Sequence, residues 1–137
     1  MTQSEPPRRL IILDDSGNAP ANYSPAVRVG NQVFVAGMIS MRDGEIVGLG
    51  DIVAQTRQVL DHVETALQRA GSAFGDIVRY RIYLTDMSDL AGVRSVLNER
   101  FGSIRPAGTL VAVSCLVHPD LKIEIDADAI VGSALES

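Results

Sequence analysis

A chain of 137 residues, 46% hydrophobic and 21% charged, has the balance of one folded domain and leaves little room for a second. Its net charge of −5, its pI near 4.9 and the lack of any basic run beyond Arg8-Arg9 argue against nucleic acid as a partner, because a phosphate backbone is held by clustered cations. The single cysteine, Cys115, excludes an intrachain disulfide, and no stretch approaches the ~20 apolar residues of a membrane span; with no apolar signal segment behind the polar start, a cytoplasmic protein without membrane contact is expected.

Residues 1–9 are expected to be a tail, 10–131 the folded domain and 132–137 a second tail. Trp is absent and aromatics are 4%, so Val, Ile, Leu and Ala must build the core. Leu10 to Leu13 is an apolar run that suits a first strand, and 14–25, rich in Gly, Asn, Ser and Pro, suits a loop. Ala26–Val29 and Val33–Ala36 flank Gly30-Asn31-Gln32 and predict a hairpin. Gly37 then interrupts an apolar run that continues through Met38 and Ile39, which predicts a bulge or a close backbone approach. Asp43-Gly44 marks the next turn.

Over 51–70, Ile52, Val59, Leu60, Val63 and Leu67 recur at helical spacing, with Gln55, Arg57, Asp61, Glu64 and Arg69 on the other side. Asp51 is placed to cap this helix and Gly71 to end it. Residues 79–84 alternate as a strand, Tyr80, Ile82 and Leu84 against Arg79, Arg81 and Tyr83. Ser88 and Asp89 open a second helix with Leu90, Val93, Leu97 and Phe101 inward and Gly102 at its end. Strands are expected over 109–115 and 121–130, the last alternating Ile123, Ile125, Ala127 and Ala129 against Lys122, Glu124, Asp126 and Asp128. Two helices with one apolar face each cover the same side of one mixed sheet, an α+β fold, and leave the other side for a partner subunit.

Few residues carry chemistry by pattern. His62 and His118 form no Ser-His-Asp arrangement, and no phosphate-binding glycine loop is present. Asp126 and Asp128 share a strand face but have no His or Cys at ligand spacing, so no metal site is expected. Cys115 reads as a partly buried structural thiol rather than a nucleophile.

The segment Arg105-Pro-Ala-Gly-Thr-Leu-Val-Ala-Val-Ser-Cys-Leu-Val-His-Pro-Asp-Leu-Lys-Ile-Glu-Ile-Asp-Ala-Asp-Ala-Ile resembles the signature region of the RidA/YjgF family of reactive-intermediate deaminases. Gly30-Asn31 followed by Val-Phe-Val-Ala-Gly37, the helix from Asp51 to Val63, Gly75-Asp-Ile-Val and Leu84-Thr-Asp-Met extend the resemblance over about residues 23–130. It implies a chorismate-mutase-like fold and a homotrimer with ligand clefts between subunits. It also implies hydrolysis of small enamines or imines to carbonyl compounds and ammonia, with neither metal nor organic cofactor.

The family's functional positions carry over unevenly. Tyr23 matches a cleft tyrosine, Gly37 a family glycine and Glu124 the acid beside the hydrolytic water. Gly108 stands where the family has its carboxylate-binding Arg, Leu110 where many members have Cys, Ala36 where Ser is common, and Arg94 where typical deaminases have Asn. Backbone N–H groups at Gly108 and Thr109 are left to polarise a substrate, and Gly108 is expected to leave room for a bulkier one. Arg94 and Arg105 each have two readings, a cation reaching the cleft or an exposed surface charge, as Glu124 is either a base or a polar residue of an alternating strand. Three functions follow: hydrolytic deaminase, small-ligand-binding trimer without catalysis, and RNA cleavage as attributed to relatives, against which the acidic charge argues.

Overall fold

The computed structural model describes residues 5–14 and 22–135. Strand β1 (Arg9–Ile12) pairs with β2 (Ala26–Val29), and β2 turns into β3 (Gln32–Ile39) through Gly30 and Asn31. Gly30 takes φ 60° at the first central turn position, where a side chain would be strained. A small hairpin of β4 (Met41–Arg42) and β5 (Glu45–Ile46) follows, with Asp43 and Gly44 at positive φ in its turn. Helix α1 (Ile52–Arg69), β6 (Ile77–Leu84), helix α2 (Leu90–Phe101), β7 (Ala107–Ala112) and β8 (Ile123–Ile130) complete the chain.

The six-stranded sheet has the order β1-β2-β3-β8-β6-β7. Its pairs are antiparallel except β6–β7, which α2 joins as a parallel crossover. Val33, Val35, Ile82, Leu84, Ile123, Ile125, Ala127 and Ala129 turn one face of the sheet inward. They meet Val59, Leu60, Val63 and Leu67 of α1 and Val93 and Val96 of α2 in one buried core. The expected layering is therefore present, both helices on one face. On the open face Phe34 and Val111 are exposed, and Glu124, Asp126 and Asp128 are half-buried.

Asp51 caps α1 as expected, its carboxylate accepting from the Ala54 N–H at 3.0 Å. The reading of Gln55 as outward is corrected: its side chain is fully buried. Its amide donates to the Gly48 and Asp120 carbonyls, both at 3.1 Å, and accepts from the Lys122 N–H at 2.9 Å. A polar side chain with three backbone partners belongs inside, and the apolar/polar pattern alone cannot show that. The same contacts explain why β8 begins at Ile123 rather than at residue 121. Val96, absent from the expected inner face of α2, is also fully buried.

Strand β7 ends at Ala112 because its parallel partner β6 ends at Leu84, the residue paired with it. Cys115 consequently lies beyond the strand and is exposed, which corrects the expectation of a partly buried thiol. Most of the predicted loop over 14–25, residues 15–21, lies outside the described residues.

Candidate functional site

The β3–β8 register passes from Val35↔Ala127 to Met38↔Ile125, so Ala36 and Gly37 together stand opposite Asp126. This is the predicted bulge. The close approach is present as well: the Glu124 carboxyl fills the place a side chain at Gly37 would take, with a Cβ there 2.8 Å from Glu124 Cδ. The two readings of Gly37 are one feature, a bulge that brings bare backbone against a carboxyl group.

Glu124 makes no hydrogen bond or ion pair among the described residues. Burial pushes its pKa up, and the charge of Asp126 on the same strand face adds to the shift. Asp126 is itself engaged. Arg81 of β6 bonds it at 2.7 Å and reaches Asp128 at 3.2 Å, and the Tyr83 hydroxyl donates to its second oxygen at 2.9 Å. Burial and this bond together raise the Tyr83 phenol. Alternation along the chain gives Arg81 and Tyr83 no partners; the signal is the cross-strand register Arg81↔Asp126 and Tyr83↔Glu124, which alternation alone does not reveal. The two aspartates thus serve a guanidinium. Among the described residues no group of three or more His, Cys, Asp or Glu is placed to hold a metal ion.

The other expected site residues lie elsewhere. The register Tyr80↔Gly108 and Ile82↔Leu110 turns Gly108 and Leu110 toward the helical side, while Thr109 pairs with Arg81 on the open side. Between α2 and the β7 edge runs a cleft of about 480 Å³ whose lining includes Tyr80, Arg94, Asn98, Gly108, Thr109 and Leu110. The sequence proximity of Gly108 to Leu110 and the separate position of Arg94 therefore converge in one cleft. Arg105, at φ 52°, lines an adjoining cleft that shares Tyr80 and Asn98. Tyr23 is exposed in the segment before β2.

Gly108 does not open space. The ring of Tyr80 lies over it, with the hydroxyl oxygen 2.6 Å and Cε1 2.7 Å from where a Cβ would stand. The expected extra room for substrate is taken by a tyrosine from the neighbouring strand. His62, left without a chemical role by its sequence, lies 2.9 Å from the Met41 carbonyl and ties α1 to the β4 hairpin.

The described residues thus place two candidate sites apart: Glu124 against the Ala36-Gly37 bulge on the open face, and the Arg94–Gly108 cleft on the helical side. Two helices over one face of this mixed sheet make a chorismate-mutase-like α+β fold, and a sequence model described as Endoribonuclease L-PSP matches residues 15–131. The 3-aminoacrylate deaminase RutC of Acinetobacter baylyi is 35% identical over 120 residues, spanning 87% of this chain and 94% of that protein. The crystal structure of a YjgF-family protein of Mycobacterium tuberculosis is 41% identical with a TM-score of 0.78, covering 90% of this chain and 100% of that one. The YjgF gene product of E. coli is 33% identical with a TM-score of 0.78, covering 88% and 98%. The chain belongs to the RidA/YjgF family. Among the described residues, no helix is long and apolar enough to cross a membrane.

Proposed function

We propose that the protein is a cofactor-independent hydrolase that converts a small enamine or imine to a carbonyl compound and ammonia. The observation that carries this reading is Glu124, a half-buried carboxyl with no partner among the described residues, pressed on the bare backbone of Gly37 and raised in pKa by burial. A carboxyl group held against bare backbone can both take and return a proton. As a carboxylate it takes a proton from water as the water oxygen bonds to the imine carbon, and the C=N electron pair moves onto nitrogen. The proton passes to that nitrogen, giving a carbinolamine. Glu124 then takes the hydroxyl proton and returns it to nitrogen as the C–N bond breaks, so that C=O and ammonia leave. An enamine enters the same path after Glu124, in its acid form, protonates its carbon.

The working unit in this reading is a homotrimer. Glu124 and Gly108 stand on opposite faces of one sheet, so a cleft using both needs the open face of one subunit against the β7 edge of another. Exposed Phe34 and Val111 on the open face suit such cover. The relative RutC, named a 3-aminoacrylate deaminase, supports the reaction class. The net charge of −5 argues against the ribonuclease activity in the family description.

One observation favours a second reading, a trimer that binds a small metabolite without turning it over. Position 108 is Gly, so the guanidinium fork that holds a carboxylate by two charge-assisted hydrogen bonds is missing there. An imine-trapping assay separates the two. An amino-acid oxidase generates imines from a panel of amino acids with semicarbazide present, and a hydrolase slows semicarbazone formation. Slowing that Glu124→Gln abolishes establishes the hydrolase. No slowing across the panel, from a folded trimer, leaves the binding role.

A further inference from the structure

We propose that Tyr80 and Arg94 form the carboxylate-binding end of this protein's cleft, and that position 108 is Gly so that the Tyr80 ring can occupy it. The inference rests on the hydrolase reading only for the identity of the ligand, a small acid with an apolar chain.

Gly108 is not needed for its backbone. Its φ is not positive, unlike that of Gly30, Gly44, Gly48, Gly50, Gly71 and Gly132, so the strand conformation there admits any residue. What requires the absence of a side chain is Tyr80, three of whose atoms lie within 2.7 Å of where a Cβ would be. The ring has little freedom to retreat. It stacks on Phe101 at 5.0 Å and 18°, Phe101 stacks on Phe74 at 4.8 Å and 21°, and the Arg100 guanidinium caps Phe74 at 4.6 Å. This ladder ties β6 and α2 together and fixes the hydroxyl over Gly108.

That hydroxyl has no hydrogen-bond partner among the described residues, although it lines the cleft. Arg94, on the opposite wall, makes no ion pair among them either. Among the described residues the lining carries no Asp or Glu, in a chain whose net charge is −5. Asn98 adds an amide, and Leu90, Leu97 and Leu110 supply an apolar wall. A cleft with a cation, a fixed O–H donor and no acid selects a carboxylate, and its leucines select an alkyl chain beside it. A single-point phenol with a helix-borne guanidinium replaces the fork that position 108 lacks.

The test is binding of 2-oxobutanoate and of its uncharged amide to the full-length protein, followed by calorimetry or ligand-observed NMR. The acid should bind more tightly than the amide. Tyr80→Phe keeps the stacked ring and should weaken the acid on the order of 10-fold, as loss of one charge-assisted hydrogen bond does. Arg94→Gln should erase the preference for acid over amide. Gly108→Ala should displace the ring and weaken the acid as Tyr80→Phe does. Each variant is checked for unaltered far-ultraviolet circular dichroism. Failure of the wild type to bind the acid, or changes under about 2-fold in both Tyr80→Phe and Arg94→Gln, overturns the proposal. Binding needs no turnover. An inactive protein that binds through these residues keeps this inference and rejects the hydrolase; an active one indifferent to both substitutions does the reverse.

Discussion

Replacing Gln55 with Leu tests whether a buried amide, rather than apolar packing, sets the start of β8. The side chain is fully buried and its amide holds three backbone groups. The Gly48 carbonyl keeps a second donor, the Asp51 N–H at 2.9 Å, so its loss is small. The Lys122 N–H and the Asp120 carbonyl lose their partner, and Lys122 adjoins fully buried Leu121. One buried donor left unmet costs about 1–3 kcal/mol and each lost ordinary hydrogen bond about 1 kcal/mol. The leucine recovers part of this by burying apolar surface at similar volume, about 1 kcal/mol. The net expectation is a loss of about 2–3 kcal/mol, or a Tm lower by roughly 10 °C for a chain of this size. Urea and thermal unfolding followed by circular dichroism, at one fixed protein concentration because association shifts apparent stability, measure it. Hydrogen exchange gives the local readout: protection of the Lys122 amide should fall while that of Val33 and Val35 persists. A variant within about 0.5 kcal/mol of wild type with Lys122 still protected would refute the reasoning, because water or a shifted loop would then satisfy the same groups.

Gly37→Ala should move the Glu124 carboxyl, since the new Cβ would stand 2.8 Å from Cδ; imine hydrolysis should fall on the order of 100-fold, as misplacement by about 1 Å can cause, with Tm little changed. The raised pKa of Glu124 makes the folded chain hold a proton more tightly than the unfolded one. Its contribution to stability is therefore present below the ordinary glutamate value of 4.5 and is lost as pH rises through the folded pKa; Glu124→Gln should exceed wild type in stability at neutral pH and match it in acid, as paired urea titrations would show. Asp76 has the opposite sign. Burial raises its pKa, but bonds from the Ser72 hydroxyl and the N–H groups of Gly132, Ala134 and Ala73 outweigh that and leave it lowered. Its stabilisation is present above pH 3.8 and lost as pH falls through the folded value, so Asp76→Ala should cost about 1–3 kcal/mol at neutral pH and progressively less in acid.

The layers of the fold were legible because period and burial agree. Val59, Leu60, Val63 and Leu67 repeat at helical spacing and all enter the core, and β8 buries every second residue from Ile123 to Ala129. Gly37 was legible because a glycine inside an apolar strand needs a local cause. What the sequence hid is contact between segments remote in the chain. Gln55 looks like any surface polar residue until Asp120 and Lys122 are brought beside it, and Asp126 looks solvated until Arg81 and Tyr83 pair with it across β6. Gly108 is the clearest case. Read along the chain, it is a deletion: a guanidinium lost and space gained. Read across the β6–β7 register, it is one half of an exchange whose other half is Tyr80. A strand pair fixes which side chains share a face at close range, so a large residue on one strand and a glycine on the other fill one volume between them. The loss at 108 therefore cannot be weighed alone. In the proposed carboxylate site, anion binding depends on what Tyr80 and Arg94 present beside Gly108, and that is a property of the pair of strands and the helix between them rather than of any one position.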